Sequence, residues 1–372
     1  MRDGRRALSG TLPNFPWDTL APFLQTAQGH QDGIVDLSVG TPVDPTPALV
    51  RDALAAASDA HGYPQTYGTP ELREAVAAWF ARRRRVPDLD PAGVLPTIGS
   101  KELVAWLPTL LGLGPSSTVL VPAVAYPTYD IGARLAGATP VPFAALTQVG
   151  PGAAELVWVN SPSNPTGQVL GVEHLAKVVA WARSRGAVVA SDECYAELGW
   201  DDVEVPSILD PRVCGGSHDG LIALYSLSKQ SSMAGYRAAF AAGDPALVAE
   251  LLAVRKHAGM MVPAPVQAAM RAALGDDEHV AVQRETYRRR RALLLPALCA
   301  AGFDVEHSGA GLYLWATRGE DCWATVDRLA SRGILVAPGS FYGEAGRRHV
   351  RVALTATDER VAAACARLGS GR

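Results

Sequence analysis

From about residue 47 onward, this 372-residue chain alternates short apolar runs with helix-length amphipathic segments, and few architectures accept that alternation. Val119 to Pro122, Leu156 to Val159, Ala187 to Ser191 and Leu221 to Tyr225 read as buried strands flanked by turn residues. Ala48 to Ala57, Pro70 to Arg85 and Lys101 to Leu111 repeat their apolar residues at helical spacing. Strands that are apolar on both faces need cover on both, so the pattern predicts an α/β fold with a mainly parallel sheet between two layers of helices. In such sheets ligands bind beyond the carboxyl ends of the strands. The residues just after each strand are therefore the first place to look for chemistry.

The chain exceeds one ordinary core, and its pattern changes along its length. Residues 1–40 read as an irregular arm, rich in Pro, Gly and Trp and ending in a short strand, Ile34 to Ser38, that packs with a small domain. Residues 41–275 read as the large domain. Residues 276–372 read as a smaller α+β domain, with a connecting helix from Asp276 to Ala301, strands Gly311 to Ala316 and Val350 to Leu354, and a helix Cys322 to Arg332. A formal net charge of -3 with scattered basic residues argues against a nucleic-acid surface. The arginine runs Arg82 to Arg85 and Arg288 to Arg291 read as solvated helix faces. The five cysteines form no CxxC pair and have no His at ligand spacing, so neither a disulfide framework nor a metal site is expected. The first residues, Met-Arg-Asp-Gly-Arg-Arg, lead into no apolar segment, no stretch reaches membrane-spanning length, and the expected setting is the cytoplasm.

Among 34 basic residues only Lys101, Lys177, Lys229 and Lys256 are lysines. Where a bare charge suffices this chain uses arginine; lysine can also lose its proton and act as a nucleophile. Lys229 closes Ser226-Leu227-Ser228-Lys229 at the end of an expected strand, with Arg237 eight residues later. There it could form an imine with an aldehyde while Ser226, Ser228 and Arg237 hold a phosphate, or it could be a surface lysine in a serine-rich loop. Asp192 and Tyr195 follow the apolar run Ala187 to Ala190. They could pair with a pyridine nitrogen and a phenolate oxygen, or be a capping Asp and a packed Tyr. Asn164 lies in the turn-rich Asn160-Ser161-Pro162-Ser163-Asn164-Pro165-Thr166-Gly167 and could bond the same oxygen. Gly99, Ser100 and Lys101 open a helix whose free N–H groups suit a phosphate, although a plain Ser-capped helix reads the same way.

The order and spacing of these motifs resemble those of fold type I pyridoxal 5′-phosphate (PLP) enzymes, specifically class I/II aminotransferases, from Leu37-Ser38-Val39-Gly40-Thr41-Pro42 to His349-Val350-Arg351-Val352-Ala353-Leu354-Thr355. The resemblance implies that Lys229 carries the cofactor as an imine and Asp192 pairs with its ring nitrogen. Tyr195 and Asn164 would bind the ring oxygen, and Tyr126 would stack on the ring. Gly99, Ser100, Lys101, Ser226, Ser228 and Arg237 would hold the phosphate. Arg351, beside the Gly40 backbone, would grip the substrate α-carboxylate. Tyr63 would reach the phosphate of a neighbouring subunit, making a homodimer with shared sites.

Three segments, Leu12 to Leu20, Asp36 to Pro47 and Leu95 to Glu102, resemble the N-succinyl-L,L-diaminopimelate aminotransferases of high-GC bacteria, which serve lysine and diaminopimelate biosynthesis. That subgroup implies glutamate and 2-oxoglutarate as one substrate pair, with Lys101 as a reader of a second carboxylate or as a phosphate contact. Gln230-Ser231-Ser232-Met233 and Ala239 depart from the subgroup's usual residues, which leaves an aminotransferase for another amino acid open. A PLP-dependent lyase on the same fold is the alternative chemistry.

Overall fold

The computed structural model describes residues 8–150, 152 and 154–369. The opening Met-Arg-Asp-Gly-Arg-Arg and the very end of the chain lie outside them. Seven strands form one sheet in the order Val94–Ile98, Ala238–Gly243, Leu221–Ser226, Val188–Asp192, Leu156–Asn160, Thr118–Pro122, Thr139–Phe143. Only Ala238–Gly243 runs antiparallel, against both of its neighbours. The expected mainly parallel α/β architecture is the one observed.

Side chains alternate across this sheet as the two-residue period requires. Val157, Val159, Val189 and Ala223 pack on one face with helices Pro70–Arg84, Val172–Arg183 and Ala264–Gly275. Leu156, Trp158, Ala190, Ile222 and Leu224 pack on the other with Ser100–Leu110, Thr128–Leu135 and Pro245–Ala258. A third core surrounds a four-stranded antiparallel sheet of Ala337–Pro338, His349–Ala353, Tyr313–Thr317 and Asp304–Glu306. Leu20, Ala27, Val35 and Leu37 join that core, together with Leu294 and Leu298 of the long helix Glu278–Ala300.

Three strands escape the apolar pattern. Val94–Ile98 and Thr139–Phe143 contain Pro96, Pro140 and Pro142, and they are the two edges of the sheet, where a missing N–H breaks the fewest ladder bonds. Ala238–Gly243 reads Ala-Ala-Phe-Ala-Ala-Gly, a poor strand former by propensity, and its pairing on both sides overrides that. The arginine runs also need correction. Arg84 is buried against Glu193 at 3.3 Å, and Arg290 is buried between Asp44 at 2.6 Å and Asp358 at 2.8 Å. Carboxylates from distant segments reach these positions, which a reading of helix faces alone cannot anticipate. Arg82, Arg85, Arg288 and Arg289 do face solvent.

Candidate active site

Segments that follow five strands of the large sheet meet the strand His349–Ala353 around a cavity of about 1310 Å³. Gly40, Ser100, Lys101, Tyr126, Asn164, Asp192, Tyr195, Ser226, Ser228, Lys229, Arg237 and Arg351 line it. Gly99 is not among the lining residues and packs against the Arg237 guanidinium. Tyr63 is not in this cavity and projects from the surface, 95% exposed.

Register explains why the chemistry gathers here. Asn160 is the partner of Asp192, and Asp192 the partner of Leu224, at the carboxyl ends of three adjacent parallel strands. Ser226 ends the third strand and caps the short helix Leu227–Gln230, which turns Lys229 into the cavity. The Lys229 amine donates to the Gly40 carbonyl. Burial lowers its pKa, and the Arg351 and Arg237 charges act in the same direction against the opposing pull of Tyr313 and Cys194. Such an amine loses its proton more readily than a surface lysine, as nucleophilic work requires.

Asp192 is buried, and burial raises its carboxyl pKa against the lowering effect of hydrogen bonds from Cys194 and Tyr129. Asn160 fixes the neighbouring loop. Its Oδ1 accepts the Asn164 N–H at 2.7 Å and its Nδ2 donates to the Asp192 carbonyl at 2.9 Å. The Asn164 side chain is thereby held between the cavity and Arg351, whose Nη1 donates to Asn164 Oδ1 at 3.0 Å.

A cluster of donors forms one end of the cavity. The helix Ser100–Leu110 starts there, and the hydroxyls of Ser226 and Ser228 lie 2.8 Å apart. Arg237 packs on Gly99, where an added Cβ would sit 2.1 Å from a guanidinium nitrogen and the backbone φ of +74° also favours glycine. Among the described residues no carboxylate lies within ion-pair distance of Arg237.

Arg351 is buried beside the other end of this polar group. It donates to the Ser38 carbonyl at 2.6 Å, and its guanidinium lies 3.9 Å from the centre of the Tyr313 ring. Tyr313 carries no role in the sequence reading, although it lies within the expected strand Gly311 to Ala316, and neither do Tyr129 and Asn160. Tyr313 and Tyr195 approach each other hydroxyl to hydroxyl at 3.3 Å. Burial raises both phenols, but the Arg351 and Lys229 charges outweigh it at Tyr313 and bring that group below the ordinary range. Burial holds the Tyr195 phenol well above the ordinary range. Its hydroxyl is thus engaged within the protein, as well as lining the cavity.

The outer wall is made by Phe15, Trp17, Val104, Ile131 and Phe341. Aromatic contacts, Phe15 to Trp17 at 5.6 Å and Trp17 to Phe341 at 5.1 Å, tie the N-terminal segment to the four-stranded part of the molecule. Lys101 stands over the Phe15 ring at 5.8 Å.

Comparison with known proteins agrees with this geometry. The family model for aminotransferase class I and II matches residues 32–368. A probable aminotransferase of Mycobacterium tuberculosis is 65% identical over 98% of this chain and 87% of its own length. The 4-dedimethylamino-4-oxo-anhydrotetracycline transaminase OxyQ of Streptomyces rimosus is 61% identical over 96% of this chain and 99% of its own. Among solved structures, a probable N-succinyldiaminopimelate aminotransferase from Thermus thermophilus superposes with a TM-score of 0.87 at 30% identity, covering 95% of this chain and 99% of the other. With the fold, the cavity and the whole-length similarity in agreement, the chain belongs to the class I and II aminotransferases, on the PLP-dependent fold type I.

Proposed function

We propose that this aminotransferase exchanges an amino group between glutamate and 2-oxoglutarate on one side and N-succinyl-L,L-diaminopimelate and its oxo form on the other, with Lys229 as the residue that carries PLP. Enzymes of this class depend on PLP, and the residues present fit it. A buried carboxylate, an amine of lowered pKa and an unneutralised arginine beside serine hydroxyls and a helix start face one cavity. That is the donor and acceptor set a charged pyridine, an aldehyde and a phosphate call for. When bound, PLP supplies the electron sink that lets a Cα–H bond of an amino acid break.

The chain's own groups would do the rest. Arg237, Ser226, Ser228, Ser100, Lys101 and the Gly99 backbone would hold the phosphate. Tyr126 would lie against the ring, and the Asn164 amide and Tyr195 would hold its oxygen. Arg351, buried with no carboxylate in ion-pair distance among the described residues, would bind the substrate α-carboxylate next to Gly40. That arginine is the observation that carries the reading, because a buried cation without an anion calls for one from the ligand. Lys229 Nζ would then take the Cα proton, and its lowered pKa favours the unprotonated amine that this work needs.

For the second substrate, the diaminopimelate reading gives Lys101 the alternative role of meeting a second carboxylate in place of the phosphate, and among the described residues no carboxylate lies within ion-pair distance of it. A second reading rests on the aromatic outer wall. Asp130 and Glu344 on that wall are already paired with Arg134 and Arg347, leaving Phe15, Trp17 and Phe341 to meet an apolar body. Together with the similarity to OxyQ, this favours a bulky apolar ketone.

The test is a half-reaction followed by a substrate panel. Glutamate alone should convert the bound cofactor to its amine form in the wild type, whereas a lyase would release product without doing so. Lys229→Ala should show neither this conversion nor any cofactor fixed covalently by borohydride. N-succinyl-L,L-diaminopimelate should exceed ornithine, acetylornithine, aspartate and aromatic amino acids by at least about tenfold in kcat/KM, or ~1.4 kcal/mol. An aromatic or polycyclic ketone performing better would transfer the assignment to the second reading.

The cytoplasm and a homodimer belong to the same proposal. Among the described residues no helix is long and apolar enough to cross a membrane.

A further inference from the structure

Behind Asp192 stands a second phenol that no motif announces. Tyr129, on the helix Thr128–Leu135, is completely buried and stacks on Trp158 with ring centres 4.8 Å apart. Its hydroxyl donates to Asp192 Oδ2 at 2.7 Å. The other carboxylate oxygen, Oδ1, accepts the backbone N–H of Cys194 at 3.2 Å. Asp192 is thus gripped at both oxygens, and the bond from Tyr129 is the shorter.

Two observations distinguish this hydroxyl from an incidental one. Apolar packing on Trp158 needs only a ring, and a hydroxyl buried there is costly unless it is bonded; Asp192 is its bonding partner. Asp192, for its part, has no Lys, Arg or His within ion-pair distance among the described residues. The groups around it are Tyr126, Tyr129, Cys194 and Tyr195, whose pKa values burial raises, so they remain neutral donors. Lys229 lines the same cavity with a lowered pKa. Ionisation of this carboxylate therefore depends on hydrogen-bond donors and not on a fixed cation.

We propose that Tyr129 is a positioning residue that aims the Asp192 carboxylate at the ring nitrogen of bound PLP and holds it there in its ionised form. The inference rests on the reading of Asp192 as the partner of that nitrogen. Without the hydroxyl, Oδ2 of Asp192 loses the donor at 2.7 Å, and the carboxylate takes up a proton more readily. A neutral Asp192 cannot hold the ring nitrogen protonated.

Tyr129→Phe keeps the ring on Trp158 and removes only the hydroxyl. The measurement is the dissociation constant of PLP from the substrate-free protein between pH 5 and 9, with the absorbance spectrum of the bound cofactor. The expected result is about tenfold weaker binding, the scale of one hydrogen bond to a charged group. Release on acidification should also begin at a higher pH than in the wild type, because the group that must stay ionised has lost a donor. In an Asp192→Asn background the same substitution should change neither quantity.

Unchanged affinity and unchanged onset in Tyr129→Phe, with Asp192→Asn weakened, would overturn the inference and leave Tyr129 as packing. An Asp192→Asn protein that binds PLP like the wild type would instead sink the reading of Asp192 itself. Trp158→Phe, which loosens the stack and keeps the hydroxyl, guards against a packing effect. Should it reproduce both changes seen in Tyr129→Phe, the effect belongs to the stack and the inference fails.

Discussion

Arg351 concentrates the residue-scale chemistry. Its guanidinium is held by the Ser38 carbonyl and Asn164 Oδ1 and lies between the rings of Tyr313 and Tyr342, at 3.9 Å and 5.0 Å from their centres. Among the described residues its Nε has no hydrogen-bond partner. A desolvated guanidinium held this way is preorganised for a carboxylate, and lysine could not reproduce its fork. Arg351→Ala is expected to lower kcat/KM for glutamate and for the second substrate alike, by roughly 2–5 kcal/mol each. A loss confined to one substrate would make Arg351 a side-chain reader. The arginine itself was legible in His349-Val350-Arg351-Val352, but its setting was not. Ser38 and Asn164 lie 313 and 187 residues away in the chain, and no local signal joins them.

At the scale of elements, the loop that starts at Asp192 is braced from behind. Glu193 Oε1 accepts the Ile208 N–H at 2.8 Å and the hydroxyls of Ser191 and Ser207 at 3.1 Å each. Glu193 Oε2 accepts from Arg84, the last residue of the helix Pro70–Arg84, which also donates to the Val205 carbonyl at 3.0 Å. One buried ion pair thus joins a helix end, the strand that carries Asp192 and a crossing loop. Removing one member of such a pair strands the other charge in the interior, and Arg84→Ala should cost about 3–5 kcal/mol of unfolding free energy. A urea titration of the cofactor-free protein measures this; a midpoint within error of the wild type would show that the pair contributes nothing net. The arginine run was visible in the sequence. Which of its four members turns inward depends on helix phase and on a glutamate 109 residues away.

The whole-molecule question is whether one chain completes the site. Tyr63, in Gly62-Tyr63-Pro64, is 95% exposed and lies outside the cavity, the placement required of a residue meant for a neighbouring subunit. Tyr63→Ala and Lys229→Ala, each expected to be nearly inactive, can be mixed under conditions that exchange subunits. If the sites are shared, a hybrid dimer has one site with both defects and one with neither. Activity should return to up to about a quarter of the wild type, since half of randomly exchanged dimers are hybrids. Proven exchange of folded subunits without recovery would confine Tyr63 to its own chain.

What the sequence determined by itself was the local part: buried strands, the helices between them, and the turns after the strands where Asn164, Asp192, Ser226 and Lys229 stand. Apolar periodicity and turn chemistry act over a few residues, so a linear reading reaches them. The proline-bearing edge strands, the alanine-rich strand Ala238–Gly243, the burial of Arg84 and Arg290, and the grip of Tyr129 on Asp192 were decided only in the tertiary structure. In each case the deciding contact is made by a residue far along the chain, and a strand's pairing or a charge's burial is favourable only once that partner is in place.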